Sequence, residues 1–103
     1  MIIVTGSVIA KPGVFDEVLE LCRAHVARSR REDGCDHHAV HRDDDDPQKL
    51  VFVEHWRDRA ALAKHFVDPG ARGFVKAVQG LAAAAPAIDI YGAQALTMKD
   101  IMG

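Results

Sequence analysis

The chain has 103 residues, 49% of them apolar, and carries 13 Lys and Arg against 15 Asp and Glu, a formal charge of −2. That length and composition suit one domain with a genuine core and argue against bulk disorder. No block of Lys and Arg offers a phosphate-binding face, so no nucleic-acid partner is expected, and no run approaches the roughly 18 apolar residues of a membrane span.

Taken in chain order, MIIVTGSVIA is rich in Ile and Val and lacks a charged leader, which predicts a strand rather than a signal peptide. Lys11-Pro12-Gly13 breaks it, with Pro12 suited to the first turn of a helix. Phe15, Val18, Leu19, Cys22, Val26 and Ser29 then follow helical spacing. Asp16 and Glu17 lie early and Arg28, Arg30 and Arg31 late, as the helix dipole favours. Asp33-Gly34 ends this helix. Strands follow over about 35–42 and 50–56, joined by Asp43 to Asp46 and Pro47. That acidic loop lacks the glycine and closing Glu of a calcium loop and reads as a solvated turn.

Asp58 caps a short helix to about Val67. Asp68-Pro69-Gly70 interrupts it, and Phe74, Val78, Leu81 and Ala82 carry the apolar stripe on to about Ala85. Pro86 stops the helix, and residues 88–93 read as the last strand. The order is β-α-β-β-α-β with a broken second helix, which predicts a ferredoxin-like α+β fold with an antiparallel sheet. Residues 1–94 form the expected domain. The tail 95–103, with Leu96, Met98, Ile101 and Met102, is expected as a packed arm or short helix. Cys22 on the helix and Cys35 opening a strand read as reduced thiols of a cytoplasmic protein.

The most informative stretch is VFVEHWRDRAALAKHF, Val51 to Phe66. Glu54 and Trp56 share a strand face, while Leu62, His65 and Phe66 share a helical stripe. If strand two pairs with strand three so that partners sum to 92, His38 lies opposite Glu54 and Asp36 beside Trp56 on the helix-covered side. A cross-strand imidazole–carboxylate pair is how a base is oriented near neutral pH. Thr5 and Ser7 are expected on the pocket floor, with Trp56, Phe66 and Phe74 as apolar walls. Both sheet faces are largely apolar and one helical layer covers only one of them, which predicts a homodimer joined through the other. His37, His41 and His55 have the parity of that other face, where polar interface contacts are expected rather than a metal.

The starting strand with KPG, the run EDGCDHH before the acidic hairpin, and above all EHWRDRAALAKH resemble the antibiotic biosynthesis monooxygenase family, which includes small quinol monooxygenases. The resemblance covers residues 1 to about 93. It implies a dimeric α+β barrel that oxidises electron-rich aromatics with O₂, often without metal, flavin or haem. Asp36 and His38 depart from the apolar residue and the Tyr that such proteins commonly carry there. The Asn, Trp and His of haem-degrading relatives align with Ser7, His65 and Val75, so haem breakdown is not implied.

The expected function is therefore a cofactor-independent monooxygenase of a quinol or hydroxylated aromatic. His38, His65 and Glu54 are the expected catalytic groups, and Trp56, Asp36, Thr5, Ser7, Phe66 and Phe74 the substrate contacts. A second reading is a non-catalytic dimeric module that binds a small molecule or serves a stress response. An open cavity holding an exposed imidazole discriminates for the enzyme. A sealed interior, with Glu54 tied to an Arg or a helix cap, discriminates for the binding module.

Overall fold

Alternation of buried and half-buried residues along Lys49–Trp56 fixes which side of the sheet is covered: Leu50, Phe52, Glu54 and Trp56 are buried, and the residues between them are not. In the computed structural model, which describes all 103 residues, this strand is β3. It follows β1 (Ile2–Ile9), α1 (Phe15–Ser29) and β2 (Cys35–Arg42), and precedes α2 (Arg59–Val67), α3 (Pro69–Gln79), β4 (Ala87–Gly92) and α4 (Met98–Met102). The strands form one antiparallel sheet in the order β2-β3-β1-β4. This is the ferredoxin-like α+β arrangement expected from the sequence.

Register carries the face from strand to strand. Val4 pairs with Glu54 and Gly6 with Phe52, so even positions of β1 and β3 share the helix-covered face. From His37 onward, partners on β2 and β3 sum to 92, which sets His38 opposite Glu54 as the hairpin predicted. The core on this face is split in two. Val8, Val18, Leu19, Cys22, Val26, Leu50, Phe52 and Val78 belong to one cluster; Ile2, Val4, Trp56, Ala61 and Leu62 form another. Gly6 on β1 and Glu54 on β3 sit at the division. Neither offers an apolar side chain to bridge it.

The helix ends follow local chemistry. Asp58 accepts from the Ala61 amide at 2.8 Å and starts α2. Asp68 closes α2 and opens α3, accepting from the Gly70 and Ala71 amides at 2.9 and 3.3 Å, with Pro69 in the first turn. One carboxylate thus serves both sides of the break. Pro12, expected inside α1, instead lies in the turn before it, since α1 begins at Phe15. α3 stops at Gln79 rather than Ala85, because Ala82 bridges to Ala10 and the Ala83 amide donates to Ile9. Those backbone bonds extend the sheet margin and cannot coexist with a continued helix. The tail forms α4 under a Thr97–Asp100 capping box, with its residues exposed. No helix is long and apolar enough to cross a membrane.

Where β2 begins, Cys35 pairs with Trp56 and His37 with His55, leaving Asp36 as the extra residue of a bulge. Gly34 precedes it with φ +86°, and its carbonyl accepts from the Arg57 amide at 2.7 Å. A Cβ there would stand 2.5 Å from the Ala61 Cβ, besides straining a left-handed backbone. Gly34→Ala is expected to cost about 2 kcal/mol or more, read as a lowered urea midpoint with an unchanged slope. A loss within a few tenths of a kcal/mol would show that α2 yields freely at this contact.

Candidate active site

Three imidazoles from three elements meet at the split in the core: His25 of α1, His38 of β2 and His65 of α2, all buried. Their ring centroids are 5.3, 5.3 and 5.8 Å apart, close to an equilateral triangle. Glu54 of β3, also buried, reaches within 3.3 Å of His38 Nε2 and accepts from the Trp56 indole N–H at 2.9 Å. His65 Nδ1 lies 2.8 Å from Glu32 Oε2. A carboxylate at that nitrogen favours the tautomer with Nδ1 protonated, leaving the Nε2 lone pair free. The Trp56 ring lies 4.5 Å from that of His65, and Phe74 stacks on His25 at 4.1 Å.

A cavity of about 620 Å³ opens onto this cluster, within the usual size of small-molecule sites. His25, Glu54 and His65 line it together with Gly6, Phe52 and Phe74, and the exposed edge of α3 supplies Val75 and Lys76. The missing side chain at Gly6 leaves room at the floor: a Cβ would stand 3.2 Å from the Ala87 carbonyl.

Burial disfavours charge on Glu54, but His38, the Trp56 N–H and His65 outweigh it and hold its carboxyl below the usual range. Glu54 is therefore a carboxylate at neutral pH. His25 is pushed down to about 3 by burial, and then by the neighbouring His38 and His65, so it stays neutral. Burial drives the Cys22 thiol up to about 12, which makes it an inert core group.

A family comparison matches residues 1–77 to the model described as antibiotic biosynthesis monooxygenase. The chain belongs to this family. A crystal structure of an antibiotic biosynthesis monooxygenase superposes with a TM-score of 0.85 at 29% identity, covering 92% of this chain and all of the other. A protein from Deinococcus radiodurans gives 0.89 at 26% identity, covering 95% of this chain and 98% of the other. Uncharacterized protein sll1783 of Synechocystis is 34% identical over 90 residues, 87% of this chain. The chain spans only 61% of that relative's length.

Against this antibiotic biosynthesis monooxygenase frame, the residues expected at the site divide. His65, Glu54, Phe66 and Phe74 line the cavity. His38 is brought to Glu54 but lies behind the cavity wall, almost wholly buried at 1% exposure. Trp56 is not a wall: it is sealed in the smaller core cluster and acts on the site through its bond to Glu54. Asp36 is displaced by the bulge and is exposed, so its place beside Trp56 goes to Cys35. Thr5 pairs with Val53 on the uncovered face and is not on the pocket floor. Ser7 shares that parity yet touches the cavity where β4 begins, next to Ala87.

Two residues escaped the sequence reading. His25 sits three after Cys22 and four before Ser29, so the helical period already placed it on the inner face of α1. Glu32 lies in the turn after α1 and touches His65 across 33 positions, which no local pattern reveals.

The buried His25 binds a proton more readily in the unfolded chain, so acid favours unfolding. Its contribution is complete above about pH 6.5 and is lost toward pH 3 at about 1.4 kcal/mol per unit. Glu54, depressed in the folded state, adds in the same direction as the pH falls through its folded value. Unfolding free energy is expected to drop by about 2 kcal/mol from pH 7 to 5, and by clearly less in His25→Gln. Equal pH slopes in both proteins would mean that His25 carries no such penalty.

Proposed function

We propose that this protein is a monooxygenase that oxidises a quinol or hydroxylated aromatic with O₂, without flavin or haem. The observation that carries the reading is the cavity, where the Glu32-held imidazole of His65 meets an apolar lining that includes Phe52 and Phe74. A flat aromatic ring enters the cavity beside these two rings, with its hydroxyl toward His65 Nε2. His65 takes the phenolic proton, and Glu32 steadies the imidazolium that forms. The phenolate is electron-rich enough to pass electrons to O₂. One oxygen atom replaces a ring hydrogen and the other leaves as water. The quinol, ending as a hydroxyquinone, supplies all the electrons that O₂ takes up. Family membership supports monooxygenation, and the substrate class and proton route are the proposal's own content.

The non-catalytic alternative gains less from the same features. The cavity opens onto two imidazoles, and Glu54 is neighboured by His38 and Trp56 rather than by an Arg or a helix cap. Aerobic oxygen uptake with a panel of quinols is the direct measurement. His65→Ala is expected to slow turnover roughly a hundred- to ten-thousand-fold, and Glu32→Gln to slow it less, while both retain the fold by circular dichroism. Unchanged turnover in His65→Ala would remove the imidazole from the mechanism, and no turnover of any quinol would favour the binding module.

The working unit is a homodimer under this proposal, and its cytoplasmic setting is consistent with unpaired Cys22 and Cys35. Support for the dimer comes from the uncovered sheet face, where Ile3, Ile9, Val51 and Val53 are only half-buried and Tyr91, the partner of Ile3, is exposed. An open apolar sheet face of this kind demands cover. Sedimentation is expected to give a dimer for the native chain and a monomer for Val53→Lys. A monomeric native chain at micromolar concentration would exclude it.

A further inference from the structure

Beyond the oxygenase reading, and independent of it, we infer that His25, His38 and His65 form a binding site for a divalent first-row transition metal such as Zn²⁺ or Co²⁺. The inference starts from nitrogen atoms without partners. His25 Nδ1 and His38 Nδ1 are fully enclosed and make no hydrogen bond, and His38 Nε2 has only the 3.3 Å approach of Glu54. Leaving one such atom buried and unpaired costs about 1–3 kcal/mol, and two within one cluster call for a common partner.

The geometry suits a metal. One nitrogen from each ring lies within 4.8 Å of the other two. Even an equilateral triangle of that side has its centre about 2.8 Å from each corner, so small inward ring shifts reach the metal–imidazole distance of ~2.1 Å. All three residues are almost fully buried, at 6%, 1% and 4% exposure for His25, His38 and His65. A metal binds through the unprotonated nitrogen of each imidazole.

The surroundings match as well. Ligating histidines characteristically donate their second nitrogen to a carboxylate. Glu32 takes that position at His65, 2.8 Å from Nδ1, which leaves Nε2 for a metal. Glu54 and Glu32 bring two carboxylates to the cluster, which offset the guanidinium groups of Arg28, whose charge reaches His25, and Arg30, which donates to the His38 carbonyl at 2.9 Å. His25 and His65 also line the cavity, so a position on the metal not taken by protein faces a space where water or another ligand can enter. An imidazole that gives its lone pair to a metal cannot also accept a proton. Metal loading and the base role of His65 are therefore alternative uses of one nitrogen.

The test is a titration of untagged, chelator-stripped protein with Co²⁺, followed by visible absorption, with Zn²⁺ as competitor and calorimetry for stoichiometry. One ion per chain is expected, giving Co²⁺–nitrogen ligand-field bands that Zn²⁺ abolishes. His25→Ala and His38→Ala are each expected to weaken binding at least tenfold. Glu32→Gln, which retains all three rings, is expected to weaken it by about 10- to 100-fold. The His37→Ala, His55→Ala double variant is expected to bind as the native chain does, although those two rings lie 5.1 Å apart on the other sheet face. Absence of uptake at millimolar Co²⁺, loss of uptake in the His37/His55 variant, or native affinity in a folded Glu32→Gln or His25→Ala protein would overturn the assignment. Turnover plays no part in these readings, so failure of the oxygenase proposal leaves them intact, and the converse holds.

Discussion

A negative charge held inside an otherwise apolar layer governs this structure. Glu54 stands on the covered face of β3, between Phe52 and Trp56, where an isolated carboxylate would be intolerable. Its compensation comes from two directions: the indole two residues along the same strand and an imidazole on the neighbouring strand. Each needs the sheet register to be right. A slip of one position would turn His38 to the open face and leave Glu54 buried without it. The polar site and the strand pairing are one constraint.

That constraint also explains why the apolar core comes in two parts. The larger part under α1 and α3 and the smaller part under α2 are each continuous, while the level between them is given to Gly6, Glu54 and the histidines. Closing the gap with hydrocarbon would make a denser domain and erase the cavity. Polar groups in such a gap are tolerable only when nearly all find partners. Most do here, and the Nδ1 atoms of His25 and His38 are the conspicuous remainder.

Much of this was legible in the sequence because period and parity are strong signals. The two-residue alternation of β3, the hairpin sum of 92 and the Asp-Pro break between α2 and α3 each gave the observed element or pairing. What failed was sensitive to one residue. The bulge at Asp36 inserts a single position and removes that side chain from the site, two residues after Gly34 with its φ of +86°. Thr5 was misplaced by crossing parity between β1 and β3, whose partners sum to an even number. In the sequence Trp56 reads as a wall because an aromatic beside a carboxylate resembles a lining, whereas its size suits it to the interior. Glu32 was invisible because its contact depends on how the turn after α1 meets α2, a matter of tertiary closure.

The double role of Asp68 has a further consequence. Because one residue ends α2 and begins α3, the imidazole chemistry and the outer boundary of the cavity occupy separate rods joined at a single corner. His65 belongs to the first rod, and Phe74, Val75 and Val78 to the second. Substitutions along α3 can reshape which molecules are admitted without touching the carboxylates and rings on the other elements. Selectivity and reactivity are thus free to diverge independently among proteins built on this plan.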